Sequence, residues 1–333
     1  MGRMKNTVVC LGELLIDFVP ETNGLALSDV AGFRRTAGGA PANVAAAVSK
    51  LGGVSRFIGK VGADPFGDYL RERLADAGVD VTQSLLRTVE AQTGLAFVSL
   101  KADGERDFLF YRSPSADMLL APEEIDEGWL GDAAVFHFGS VSLIAEPARE
   151  ATEATAKAAR AAGVLVSYDP NVRLQLWPSP EEARDAIVAR VELADLVKLS
   201  EEEALFLTGE SDAAAGAHAL LGLGPKAVIL TLGAEGCQLF TAAGSVTVPG
   251  YRIETVDTTG AGDGFAGGLL YRLARLGVTP DTLGERLADA SFAQDVLGFA
   301  NAVGALATTK RGAIPSLPTL SEAEALIASR RKL

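Results

Sequence analysis

Two cysteines and two histidines in 333 residues exclude several common chemistries at the outset. Cys10 and Cys237 each lie inside an apolar run, which reads as two reduced core thiols and a cytoplasmic setting rather than a disulfide framework. With His137 and His218 alone, no Cys/His set for zinc and no Ser-His-Asp arrangement is in view. Basic residues are also scarce, 30 against 43 acidic, for a net charge of −13. Nucleic acid and anionic membranes both require a basic surface, so neither is an expected partner. No apolar run approaches the roughly 18 residues of a membrane span. Arg3 and Lys5 precede an apolar stretch, but Glu13 and Asp17 interrupt it, which suits a buried strand better than a leader peptide. The closing Ser-Arg-Arg-Lys-Leu reads as a solvated tail.

What is present is a chain with 48% hydrophobic residues, enough to bury a large core. No repeat, low-complexity linker or composition shift marks an independent second domain, so residues 1–333 are expected to form one unit. Thr7 to Val19 reads as one central strand. Strands at 135–138, 164–168, 196–199 and 228–232 alternate with helices at 148–161, 183–194 and 213–221, which implies a parallel sheet with right-handed crossovers. Two segments interrupt that rhythm. Residues 94–100 and 106–111 form a hairpin around Ala102-Asp103-Gly104-Glu105, placed like a lid, and 236–240 with 245–248 form a second hairpin. A further strand is expected at 56–61, a helix at 69–77 and another at 300–309.

The densest chemical signal is Asp257-Thr258-Thr259-Gly260-Ala261-Gly262-Asp263-Gly264-Phe265-Ala266-Gly267-Gly268. Small residues ahead of a helix-period apolar run (Leu269, Leu270, Leu273, Leu276) make its amides the mouth of a helix, a ready anion site. A carboxylate at such a mouth shares the space with the anion, which suggests that Asp263 works there rather than serving as an N-cap. A glycine-rich mouth with no Gly-x-x-x-x-Gly-Lys-Ser/Thr in the chain points to phosphoryl transfer outside the P-loop class. The amides of Gly260, Ala261 and Gly262 would stabilise the equatorial oxygens, and Asp263 would take the proton of the attacking hydroxyl while remaining an ionised, weak base. Magnesium would ride on nucleotide phosphates with Glu203 as its carboxylate.

Ligands bind beyond the carboxyl ends of parallel strands, where Ser140, Ser142, Asp169, Asn171, Arg173, Glu201 to Glu203, Thr231 and Gly233 fall. The Glu run equally fits the acidic first turn of a helix. Asp17 leaves its strand at an exit and could be solvated or bind hydroxyls. Asn43, in the first turn of an Ala-rich helix begun by Pro41 after Gly38-Gly39, is poorly placed unless its amide is used. Arg112 could pair Asp117 on the surface or reach an anionic group.

Together, Asp257 to Gly268, Gly38-Gly39-Ala40-Pro41-Ala42-Asn43 and Val61-Gly62-Ala63-Asp64-Pro65-Phe66-Gly67 resemble the signatures of the PfkB, or ribokinase-like, carbohydrate kinases, over Gly12 to about Pro318. Leu15 to Phe18, Phe110 to Leu120, His137 to Leu143 and Ser167 to Arg173 are similar to its fructokinase branch. The resemblance implies an α/β fold, a Rossmann-like three-layer αβα core with a small β-sheet lid from roughly 12–36 and 94–112. It implies ATP-dependent phosphorylation of fructose at the 6-hydroxyl, with Asp263 as base and Gly260, Ala261 and Gly262 as the anion hole. Asp17, Gly38, Gly39, Asn43, Arg112, Asp169 and Arg173 would hold the sugar, and Thr231, Gly233, Gly236 and Asn301 the nucleotide. A potassium site would map to Asp257, Thr259, Ala307, Gly312 and Ser316. A homodimer through the lid is expected. Many relatives have Asn-x-x-Glu where this chain has Ser200-Glu201-Glu202-Glu203. The rival activities are a 2-keto-3-deoxygluconate kinase, in which Arg112 and Arg173 bind a sugar-acid carboxylate, and a catalytically silent sugar binder; a ribose or nucleoside kinase fits the Tyr111 to Asp117 run less well.

Overall fold

The computed structural model describes residues 5–22, 24–100 and 106–330. Arg3, the hairpin turn at 102–105 and the last three residues of the expected tail lie outside them. Thirteen strands and ten α-helices are found among the described residues. In chain order they begin β1 (Thr7–Leu11), β2 (Leu15–Pro20), β3 (Phe33–Gly38), α1 (Ala40–Lys50), β4 (Val54–Gly62), α2 (Pro65–Asp76), β5 (Leu85–Thr88), β6 (Leu95–Leu100) and β7 (Arg106–Tyr111). The α/β alternation follows with β8 (Ala133–Phe138), α3 (Ala148–Ala161), β9 (Leu165–Tyr168), α4 (Pro180–Val188), β10 (Leu196–Ser200), α5 (Glu201–Thr208), α6 (Ala213–Leu221) and β11 (Ala227–Thr231). The hairpin β12 (Gly236–Thr241) and β13 (Gly244–Pro249) leads to α7 (Ala261–Arg275), α8 (Pro280–Ala288), α9 (Ala290–Ala307) and α10 (Leu320–Arg330).

Nine strands form one sheet in the order β13-β12-β11-β10-β9-β8-β1-β4-β5, parallel except for the antiparallel β11-β12-β13 edge. One apolar core lies between the sheet and α1, α7, α8 and α9, and a second between the sheet and α3, α4, α5 and α6, which makes three layers. A separate four-stranded sheet, β3-β2-β6-β7, stands over one end. No helix among the described residues is long and apolar enough to cross a membrane.

The expected single strand from Thr7 to Val19 is a correction. The chain leaves the large sheet after Leu11 and joins the small one at Leu15. The turn is enforced locally: a side chain at Gly12 would overlap Pro41 Cγ, and the Glu13 carboxylate accepts the Ala40 amide at 2.8 Å. The small sheet is tied down at both of its roots. Asp64 caps α2 through the amides of Phe66 and Gly67, and the same carboxylate accepts from Thr93 N and Thr93 Oγ1 at the entry to β6. At the exit of β7, Arg112 pairs with Asp117 in a buried contact. Other differences are of extent. The helix expected at 300–309 begins at Ala290, where the Asp289 side chain caps the Phe292 amide, and ends before Thr308. The expected 183–194 helix is α4 followed by a short 3-10 turn at Val191–Leu193. Ser329 and Arg330, expected in a solvated tail, belong to α10.

Helix α7 packs closely because it carries glycines where neighbours approach. A methyl at Gly267 would stand 2.4 Å from Ala47 Cβ in α1. Gly267→Ala should therefore lower stability by about 1–3 kcal/mol through overpacking, although Ala exceeds Gly in helix propensity by about 1 kcal/mol. Gly298→Ala in α9, where nothing lies within 4 Å, should instead gain from propensity. Urea denaturation of the two variants checks this; equal shifts for both would exclude close approach as the reason for Gly267.

Candidate active site

Helix α7 starts at Gly260, whose φ of 79° puts it in the left-handed region and whose missing side chain leaves room for Ala313 Cα at 3.0 Å from where a Cβ would be. No side chain caps this N-terminus, so its mouth faces two cavities. The first, about 260 Å³, is roofed by the small sheet through Leu15, Asp17, Val19, Thr36, Ala96, Val98 and Phe110. Its floor holds Glu13, Gly39, Asn43, Arg173, Lys198, Gly260, Gly262 and Asp263. The second, about 450 Å³ and mostly apolar, is lined by Thr231, Gly233, Gly236, Asn301, Ala261, Gly262 and Phe265, among others. Thr258 and Gly262 line both. The helix mouth is thus the wall where the two chambers meet.

Asp263 occupies the first turn of α7, and its carboxylate turns sideways to accept Asn43 Nδ2 at 2.8 Å. Burial pushes its pKa up to about 6, against the Asn43 bond, while Asp169 raises it and Lys198 and Arg173 lower it. Asp263 thus stays mostly ionised at neutral pH, as expected, but is a stronger base than an ordinary carboxylate, because desolvation outweighs the helix dipole. Asn43 Oδ1 is buried with no hydrogen-bond partner among the described residues and remains to be satisfied. Asp17 is pushed up to about 7, chiefly by burial, then lowered by Arg173 and raised by Asp263. Gly38 does not line the cavity but lies directly beneath the Asp17 carboxylate, where any Cβ would collide with Oδ2.

The three amides at the helix mouth are not equivalent, because Ala261 N already donates to Thr258 O at 3.2 Å. Asp257 organises the approach to them. Its Oδ1 accepts Thr259 N and Oγ1, and its Oδ2 accepts Gly312 N at 3.0 Å, joining two loops far apart in sequence. Ser316 is buried nearby in chain, with its hydroxyl on Ala313 O, and Ala307 is buried at the end of α9; neither lines either cavity. Asn301 lines the second cavity while its Nδ2 donates to Val248 O and Pro249 O.

Arg112 and Glu203 are also placed away from the cavity linings. Arg112 is 7% exposed and does not line the cavity, since its guanidinium is turned to Asp117. Of the two uses open to it, pairing Asp117 is the one found, in the interior rather than on the surface. Glu203 lines neither cavity; its Oε1 accepts Val172 N and its Oε2 accepts Ser200 N, closing a capping box with Ser200 at the start of α5.

Two cavity residues carried no sequence signal. Lys198 on β10 sends Nζ to Asp169 Oδ2 at 2.8 Å, and Asp169 itself does not line the cavity. Glu13 is buried with Oε2 unpartnered among the described residues, and its pKa is pushed up to about 7 by burial, against the amide hydrogen bonds it accepts. A lysine in an apolar strand and a glutamate beside a turn look ordinary until the fold aims them.

The model of the pfkB family carbohydrate kinase matches residues 5–320. Fructokinase-2 of Zea mays is 50% identical over 327 residues, covering 97% of this chain and 94% of the relative. The crystal structure of fructokinase with bound ATP from Xylella fastidiosa superposes with a TM-score of 0.91 at 40% identity, covering 98% of this chain and 99% of the other. A fructokinase from Vibrio cholerae O395 in fructose, ADP and calcium ion bound form gives 0.84 at 34% identity, covering 97% and 99%. This chain, with its uncapped helix mouth between a roofed chamber and an apolar one, belongs to the pfkB family of carbohydrate kinases.

Proposed function

We propose that the protein transfers the γ-phosphoryl group of ATP to the 6-hydroxyl of D-fructose, with residues 1–333 acting as one kinase unit. The observation that carries this is the meeting of the two chambers at Gly262, with Asp263 on the roofed side. The fructokinase relatives named above support fructose as the sugar. In this reading the nucleotide base and ribose occupy the apolar chamber beside Thr231, Gly233, Gly236 and Asn301. Fructose lies under the small sheet, its hydroxyls held by Asp17, Asn43 Oδ1 and the backbone of Gly39. Asp263 receives the proton of the attacking hydroxyl as the new O–P bond forms and the bond to ADP breaks. The amides of Gly260 and Gly262 face the equatorial oxygens, and the lid keeps water from competing as acceptor.

No cluster of three or more metal-type side chains exists among the described residues, which fits a magnesium ion held chiefly by nucleotide phosphates and waters. When bound it supplies charge neutralisation of those phosphates. Both oxygens of Glu203 already accept backbone amides, so Glu203 would act on the ion through its waters. Asp257, Thr259 and Gly312 converge as a potassium site would require, with Ala307 and Ser316 on the flanking turns. Arg112 acts from beneath, fixing the root of the lid. Its pairing with Asp117 also favours a neutral sugar over 2-keto-3-deoxygluconate, because it takes one of the two arginines expected to bind a sugar carboxylate away from a chamber that holds Asp17 and Asp263. The proposed setting is cytoplasmic, which the two buried free thiols support.

Coupled detection of ADP with fructose, ribose and 2-keto-3-deoxygluconate tests the assignment. Fructose should be turned over at least about tenfold better in kcat/KM than either rival, a discrimination of about 1.4 kcal/mol; turnover confined to the keto acid would overturn it. A silent binder would show sugar-dependent thermal stabilisation and no ADP.

Asp263→Asn should lower kcat by about 10²–10⁴-fold with fructose binding retained. In the wild type, kcat/KM should fall as pH drops below about 6, where Asp263 becomes protonated. Both Asp263 and Asp17 have folded pKa values raised above the unfolded ones, so protonating them favours the fold. Activity should therefore fall about fourfold on acidification from pH 7.5 to 5.5, without a drop in Tm attributable to these groups. A pH-independent kcat/KM across that range would remove Asp263 from the base role.

The lid sheet turns one face to the sugar chamber and the other outward, where Phe18, Phe33, Phe97 and Tyr111 form an aromatic cluster with Leu109 and Tyr111 largely exposed. A second copy of the chain is the proposed cover. Sedimentation should give a dimer for the wild type and a monomer for the Leu109→Glu/Tyr111→Glu variant; a monomeric wild type at micromolar concentration would rule the dimer out.

A further inference from the structure

Lys198 is a buried cation in a site that must receive a polyphosphate. It is 8% exposed, lines the roofed chamber, and lies two residues before the end of β10, near the carboxyl edge of the sheet. Its ammonium has three N–H donors, yet among the described residues its one hydrogen-bond acceptor is Asp169 Oδ2 at 2.8 Å. Two donors are therefore open toward the chamber. Gly262 admits the ammonium: a methyl there would stand only 3.1 Å from Nζ, so the charge lies beside the first turn of α7 at the helix mouth. Burial alone would favour loss of the charge, but Asp169, Glu203 and Asp263 more than restore it, and the pKa is raised.

A purely structural account of this pair is weak. Burying an ammonium and a carboxylate costs several kcal/mol of desolvation, and apolar residues of similar volume commonly do as well for stability. A second difficulty is the local charge. The incoming phosphoryl group must pass close to Asp263 in a site that also contains Asp169 and Asp17, in a protein of net charge −13. Two or three amides offer partial charges only.

We propose that Lys198 is a catalytic residue for the phosphoryl transfer, its ammonium donating to an equatorial oxygen of the group in transit while Asp169 holds it in place. This rests on the proposed placement of that transfer at the α7 mouth. The proton balance is unchanged: the sugar hydroxyl loses its proton to Asp263, the O–P bond to the sugar forms, the bond to ADP breaks, and Lys198 stays protonated throughout. Its contribution is greatest when charge is spread over the equatorial oxygens, so it acts on the transition state more than on either bound substrate.

The test compares wild type with Lys198→Met, Lys198→Arg and the double variant Lys198→Met/Asp169→Asn, which removes both charges and so keeps the site foldable if the single methionine variant is not. Turnover, fructose affinity by calorimetry and inhibition by ADP with aluminium fluoride and fructose, a mimic of the planar phosphoryl group, are measured on each. Lys198→Met should lose about 10²–10³-fold in kcat, with fructose affinity changed less than about threefold and inhibition by the mimic weakened in proportion to kcat. The arginine variant should recover part of both losses, and the double variant should be as slow as the single one. The inference is overturned by a folded methionine or double variant with kcat within about fivefold of wild type, or by a loss that appears wholly as weaker fructose binding with the mimic unaffected. The two readings fail separately: a fully active Asp263→Asn protein refutes the transfer geometry, whereas an unchanged response to the mimic in Lys198→Met refutes the lysine alone.

Discussion

The site depends on α1 and α7 lying close enough for Asn43 to reach Asp263. These residues are 220 positions apart and meet at 2.8 Å. The approach is possible because Gly267 presents no side chain to Ala47 one turn further along the same contact. A larger residue would separate the helices and leave Asp263 to the solvent, with a lower pKa and no fixed direction. Close packing thus sets the electrostatics: enclosure raises the carboxyl to about 6, and the Asn43 amide holds it aimed at the chamber.

The glycine-rich stretch therefore has two physical tasks divided along its length. Gly260 and Gly262 serve the mouth, the first by its positive φ and the second by admitting the Lys198 ammonium. Gly267, deeper in the helix, serves packing. Each glycine inside α7 costs about 0.5–1 kcal/mol against Ala in an isolated helix, and that cost is tolerable only where contact with another element offsets it.

Much of this was legible in the sequence. The bounds of α3 and α6 agree with the periodicity to the residue, and the alternation after Ala134 gave the parallel sheet. The Gly-rich mouth, Asp263, Thr231 and Gly233 were visible as local signals, Gly236 and Asn301 only through the family resemblance, and the fold gathers the last four around one chamber. Less legible were features decided by tertiary contact. Thr7 to Val19 is apolar apart from Glu13 and Asp17, and the contacts of Gly12 with Pro41 and of Glu13 with Ala40, both from another element, divide it. Glu203 is a sound metal candidate by type, yet Val172 N and Ser200 N compete for its oxygens. Lys198 sits in Leu-Val-Lys-Leu-Ser, where nothing local separates a solvated lysine from one facing a phosphate.

Charge placement at the site follows from the same logic. An acidic chain does not need a basic surface to handle phosphate if its cations are few, buried and held by carboxylates that cannot reach the ligand. Asp169 holds Lys198 from behind without lining the chamber, and Asp117 holds Arg112 beneath the lid root. The two pairs differ in what they leave open. Lys198 faces the chamber with donors to spare, so its charge acts on the ligand. Arg112 does not face it, so its charge acts on the lid, fixing the exit of β7 while Asp64 fixes the entry of β6 through Thr93. Because both roots are anchored in the core, the roof carrying Asp17, Ala96, Val98 and Phe110 is located relative to Asp263 before any sugar arrives. That preorganisation holds Asp17, with its pKa near 7, and Asp263, with its pKa near 6, in one small enclosure, where the Asp263 carboxylate raises the cost of charge on Asp17 and Asp263 is the one that ionises first.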